Sequence, residues 1–164
     1  MLGGAVGVVQ RYWMSPVIVV GLVGTVVVSG VLADIDLRTF RLPNRIVGPF
    51  AAATLLWVIV LGIVEQDGGR LAFAIGAGLL WAMVLFVLNL GGLVGMGDVK
   101  LVVPLGMIAG WLGAEALVVS IVVSVASSGV VGLLLLLLTR NRERPAEVPY
   151  GPFLALGLLV GMLF

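Results

Sequence analysis

Gly95-Met96-Gly97-Asp98-Val99-Lys100 is a charged, glycine-rich break between two apolar runs, residues 71–90 and 101–113. The reading of this break decides the fold. The runs on either side hold no charge and do not alternate between apolar and polar residues. They therefore read as membrane helices and not as strands of a transmembrane barrel. A charge at the boundary of such a helix is costly, so Asp98 and Lys100 each ask for a reason.

Outward from the break lie four further apolar stretches, at about residues 16–33, 46–64, 116–138 and 152–164. The chain is 62% hydrophobic and only 10% charged, with a mean hydropathy of +1.29. Soluble domains carry about 25% charged residues, and a soluble fold of 164 residues could not hide this much apolar surface. The expected fold is all-α: a polytopic bundle of six transmembrane helices, one membrane-embedded domain over residues 1–164, with the lipid bilayer as solvent. The stretches at 101–113 and 152–164 fall short of the roughly 20 residues of a full span. They are expected to tilt little or to thin the bilayer locally. Residues 1–15 make a poor signal peptide, so the first span is expected to double as the insertion signal.

Composition also removes classes of chemistry. There is no cysteine and no histidine. That excludes disulfides, thiolate zinc sites, cysteine nucleophiles, histidine triads and histidine metal sites. A net charge of +1 gives no sign of a nucleic-acid partner. Chemistry is left to Asp, Glu, Lys, Arg, Ser, Thr, Tyr and the backbone.

The connections between spans alternate in charge. Arg38, Arg41, Arg45, Lys100, Arg140, Arg142 and Arg144 fall on one side, and Arg11 and Arg70 on the other. The positive-inside rule then places both termini outside and the basic connections in the cytoplasm. Asp36 and Asp98 land on that same cytoplasmic side, although only Lys and Arg set the orientation. Among the 24 glycines, Gly21-x-x-Gly24 and the 106–113 cluster are candidates for close helix contacts in lipid. Ala114-Glu115 reads as a tight acidic turn.

Asp98 reads as a first-turn residue of its helix, where the dipole favours a carboxylate and Lys100 pushes the same way. Asp34 and Asp36 close the first span, at the end of a helix that disfavours an acid. Arg38 and Arg41 offer compensation. In Arg41-Leu42-Pro43-Asn44 the proline ends any helix at Leu42, and Asn44 reads as an N-cap. Val148-Pro149-Tyr150-Gly151-Pro152 is a stiff bend into the last stretch. Each segment has a plain structural role: an N-cap at Asp98, an interfacial acid paired with arginine at Asp36, a helix-start turn at Pro152. Together they put two aspartates on one face of the membrane. Two carboxylates suffice for aspartic proteolysis, one ionised to activate water and one protonated to polarise the scissile carbonyl. The dipole argument has Asp98 ionise first and Asp36 hold the proton.

In order along the chain, these residues resemble the type IV prepilin peptidases, membrane aspartic proteases of the GxGD type. Ile35-Asp36-Leu37-Arg38 with Arg41-Leu42-Pro43-Asn44 looks like the family's first-aspartate segment. Gly95-Met96-Gly97-Asp98-Val99-Lys100-Leu101 matches its GxGDxK motif. Pro149-Tyr150-Gly151-Pro152-Phe153 looks like its closing Pro-Phe-Gly-Pro segment, with Tyr150 for the usual Phe. The resemblance covers roughly residues 17–160. It implies Asp36 and Asp98 as the catalytic pair, with Asp34 a lesser candidate and Gly95, Gly97, Lys100, Arg38, Pro149 and Gly151 in supporting or substrate-binding roles. It further implies removal of the leader peptide from prepilin or pseudopilin precursors at the cytoplasmic face of the bacterial inner membrane, with no metal and no organic cofactor. Larger members carry an N-terminal region with paired cysteines and methylate the new pilin N-terminus. This chain has no cysteine, so peptidase activity alone is expected, as in the small peptidases of tight-adherence or competence-type pili. Two other readings compete: a small ion- or proton-coupled transporter, and a peptidase-like assembly subunit without activity. Both acids sit at span ends, whereas transport sites favour the midplane.

Overall fold

A computed structural model describes residues 16–39, 43–92, 94–138 and 150–164. Every apolar stretch becomes a helix, as it must where no water is available to satisfy the backbone. The elements are α1 (Pro16–Thr39), α2 (Asn44–Val64), α3 (Gly68–Leu90), α4 (Met96–Leu112), α5 (Ala114–Leu138) and α6 (Gly151–Gly161). Four of them, α1, α2, α3 and α5, are long and apolar enough to cross a membrane. α4 and α6 have 17 and 11 residues, about 26 and 17 Å at helical rise.

Length and position in the bundle are linked. Twelve of the 17 residues of α4 are buried, including Leu101, Val102, Leu105, Ile108 and Trp111. This helix is the axis of the molecule: it packs against α2, α3, α5 and α6. By contrast α5 is largely exposed along its length. The outer surface is apolar; on α3, Leu80, Met83 and Val87 are each more than 60% exposed. A continuous apolar exterior of this kind fits lipid and not water.

The seams are built from small side chains. Where α3 meets α4, a Cβ on Gly78 would lie 2.6 Å from the Val103 carbonyl, and one on Gly106 would lie 2.8 Å from Gly78 Cα. Gly110 faces Ala77 and Ala74 in the same seam. Where α5 meets α6, Gly157 and Gly161 lie directly on Ser124 and Ser120. Both serines return their hydroxyls to their own helix, donating 2.7 Å bonds to the carbonyls of Ser120 and Ala116, so this seam buries no unpaired serine hydroxyl. With lipid outside and inside nearly alike, close backbone approach is what drives such contacts. The 106–113 cluster thus supplies contact glycines. Of the other expected pair, Gly21 lies against the Trp57 indole, whereas Gly24 has open space beside it.

The ends depart from the sequence reading in three places. α1 continues through its acids to Thr39. Ala114 and Glu115 form the first turn of α5, and the connection is Gly113 alone, at φ +138°, a conformation that L side chains avoid. Asn44 is the first residue of α2, not its cap; extended Pro43 holds the cap position. At the far end of the bundle from the acids, Arg70 stacks on Trp111 at 4.7 Å and donates from Nε to the Trp111 carbonyl at 2.7 Å. It thereby closes the C-terminal end of α4.

Candidate active site

Residues two apart on a helix point to different sides, and residues four apart share a side. The last two turns of α1 follow this rule. Asp34 and Arg38 lie together on the exposed side, Arg38 Nε 2.9 Å from an Asp34 oxygen. Asp36 turns inward with Leu32, its neighbour one turn back, and both are buried. Arg38, one of the two arginines expected to compensate Asp36, is therefore engaged with Asp34 instead.

What compensates Asp36 comes from 115 residues away. The Gly151 amide donates to Asp36 Oδ2 at 3.0 Å. Gly151 is the first residue of α6, so its N–H is one of the donors a helix leaves without an internal partner. The start of α6 thus meets an acid at the end of α1, and the dipole penalty there is opposed by a second dipole of the favourable sign. The approach is close: a Cβ on Gly151 would lie 2.8 Å from Asp36 Oδ2. A larger residue here would have to push the Asp36 carboxylate aside.

Asp98 arrives from α4. Extended Gly95 caps the helix and Asp98 is in its first turn, as the sequence indicated. Gly95 also brings its backbone against the acid; a Cβ there would lie 3.1 Å from Asp98 Oδ2. Gly97, half-buried, sits beside it in the same turn. Asp98 is 7% exposed, and its Oδ1 is buried with no hydrogen-bond partner. It lies outside the four spanning segments. Burial pushes its carboxyl up to about 7, the charge of Asp36 adds to the rise, and the Gly95 N–H opposes it. At Asp98 desolvation thus works against the helix-start preference for the ionised form.

Lys100 does not reach the acids. It is exposed, and its Nζ donates to Asn44 Oδ1 at 3.0 Å, tying the start of α4 to the start of α2. The partner was named in the sequence for a different task, as an N-cap. Tyr150 is half-buried at the start of α6, hydrogen-bonded with Ser128 of α5, and it feels the charge of Asp98. No sequence signal marks Ser128; it is one of several serines in an apolar helix. Pro149, Arg41, Leu42 and the basic residues at 140–144 lie outside the described residues. Among the described residues no three acids group as a metal site would require.

Two buried carboxylates from separate helices, the charge of one acting on the other and both flanked by glycine backbone, form a constellation suited to general acid–base chemistry. The family described as "Type IV leader peptidase family" matches residues 12–139. Among similar proteins, a prepilin leader peptidase/N-methyltransferase of Aeromonas hydrophila is 31% identical over 135 residues, 81% of this chain and 45% of its own length. One from Escherichia coli K12 is 28% identical over 134 residues, 80% of this chain and 57% of its own. One from Burkholderia pseudomallei is 32% identical over 139 residues, 81% of this chain and 42% of its own. The chain thus spans about half the length of the relatives it matches. No solved structure matches significantly. The extent of the family match, with Asp36 and Asp98 both inside it, makes the chain a member of the type IV leader peptidase family.

Proposed function

We propose that this protein is an aspartic endopeptidase that removes the leader peptide from prepilin-like precursors. The observation that carries the reading is the convergence of buried Asp36 and Asp98 from α1 and α4, with the charge of one felt at the other. One carboxylate takes a proton from water, the resulting oxygen attacks the scissile carbonyl carbon, and the other acid protonates the carbonyl oxygen. No cofactor is needed for this step. Methyl transfer is left out of the proposal, since the chain covers only part of the bifunctional relatives.

The same reading treats residues 1–164 as one membrane-embedded domain in the bacterial inner membrane, with α4 and α6 sunk among the four longer helices. The apolar part of α4 begins at Leu101, which leaves its first turn at headgroup level. Lys and Arg bias puts both termini outside and the acids at the cytoplasmic face, where a precursor's leader is found before export. A transport role is disfavoured by the placement of both acids at helix ends.

The test is leader cleavage in membranes containing a prepilin substrate. Asp36→Asn and Asp98→Asn are each expected to lose cleavage, and Asp34→Asn to keep it. Cleavage retained in Asp36→Asn would overturn the dyad.

A further inference from the structure

The two acids are furnished differently. Asp36 Oδ2 accepts the Gly151 N–H from another helix at 3.0 Å, while Asp98 has only the Gly95 N–H at the start of its own helix, and its Oδ1 is buried with no partner. An amide can only donate, so beside a carboxyl it favours the ionised form, which accepts and cannot donate. A buried carboxyl oxygen that no donor faces is where a proton costs least. We infer that Gly151 is a positioning residue whose amide makes Asp36 the base of the pair and leaves the proton on Asp98. This rests on the peptidase reading above and reverses the roles that the helix dipoles alone suggest.

The surroundings are consistent with that division. On α1, Asp34 and Arg38 are exposed and paired with each other. From α4 the group facing Asp36 is Asp98 itself, and Lys100 is exposed and held by Asn44. From α2, Arg45 is exposed. From the start of α6 come the Gly151 amide and Tyr150, whose hydroxyl is engaged with Ser128. Among the described residues no cation is placed to hold the Asp36 charge, so the amide is its stabilising contact. Burial and the neighbouring charge keep Asp98 neutral up to about pH 7.

The steps balance. Asp36 carboxylate removes a proton from water as the water oxygen bonds to the scissile carbon, and Asp98 gives its proton to the carbonyl oxygen. The gem-diol then collapses: Asp98 carboxylate takes a proton back from one hydroxyl, the C–N bond breaks, and Asp36 delivers its proton to the leaving nitrogen. Asp36 ends ionised and Asp98 protonated, as they began.

The experiment compares the pH–rate profiles of wild type, Gly151→Ala and Gly151→Pro in membranes with prepilin substrate. Both variants add a Cβ against Asp36, but only proline loses the N–H. The expected result is lowered activity in both, with the ascending limb moved to higher pH by about one unit in the proline variant only. Equal losses with unmoved limbs would show that Gly151 supplies space alone and would overturn the inference, while the dyad would still stand on Asp36→Asn and Asp98→Asn. Should the proline variant fail to insert, infrared spectra at neutral pH decide independently. The band of a buried protonated carboxyl is expected to vanish in Asp98→Asn and persist in Asp36→Asn; the opposite pattern would overturn the inference.

Discussion

Lys100 Nζ donates to Asn44 Oδ1 at 3.0 Å, a bond across 56 residues that joins the first turns of α4 and α2. Two residues beyond Asp98, and so on a different side of α4, it braces the acid's helix and is not a charge partner. Lys100→Met and Asn44→Ala are each expected to slow leader cleavage several-fold, since an exposed bond contributes only about 1 kcal/mol. The double variant should lose no more than either single one, which a double-mutant cycle on cleavage rates would measure. Additive losses would show that the two residues act separately.

Asp98 is expected to set the alkaline side of the pH–rate profile. Its carboxyl is raised from 3.8 to about 7, so the protonated form persists to near neutrality and is lost as pH rises through that value. If Asp98 must donate a proton, kcat/KM falls above about pH 7. A rate that stays flat well into the alkaline range would remove the proton from the mechanism.

The α3–α4 seam tolerates no added atoms. Gly78→Ala puts a Cβ 2.6 Å from a backbone carbonyl that cannot step aside, and such overpacking costs about 1–3 kcal/mol. Thermal unfolding in detergent should show a clear drop. Gly76→Ala is the control: that site is open, and alanine is the better helix former by about 1 kcal/mol.

Arg70→Ala removes the stacking on Trp111 and the bond that closes the end of α4. Stability is expected to fall by about 1–3 kcal/mol, read as a lower unfolding temperature. Because the residue lies at the far end of α4 from Asp98, kcat of the folded enzyme should stay near wild type. A selective loss of kcat would place Arg70 in an unforeseen coupling.

Asp34→Ala and Arg38→Ala should each change stability by less than about 0.5 kcal/mol, because the pair is exposed and its attraction is screened by water. Cleavage should be near normal in both. A strong loss in the arginine variant alone would give Arg38 a role toward substrate.

Much of this was legible in the residues. Six apolar stretches gave six helices, because in lipid an apolar run has no other way to satisfy its backbone. Asp36 and Asp98 were set apart by motif and by side; both are buried, and the charge of Asp36 acts at Asp98. The helix ends were less legible. Charges at Asp34 and Asp36 suggested that α1 had stopped, yet a charged residue at a membrane surface can remain helical, and α1 runs on to Thr39. Asn44 had the chemistry of a cap, and only the approach of Lys100 from another helix shows its other use. The ionisation order inferred above differs from the dipole reading for the same reason. Dipole arguments are local, whereas the burial of Asp98 and the Gly151 amide are products of tertiary packing.

Gly151 is joined to the ribosome's output long after Asp36, since 115 residues separate them. A nascent chain stopped after α5 would carry both acids and still lack the amide that holds one of them. On the reading that Asp36 is the base, a chain halted at that point would hold this carboxylate without its donor until α6 docks.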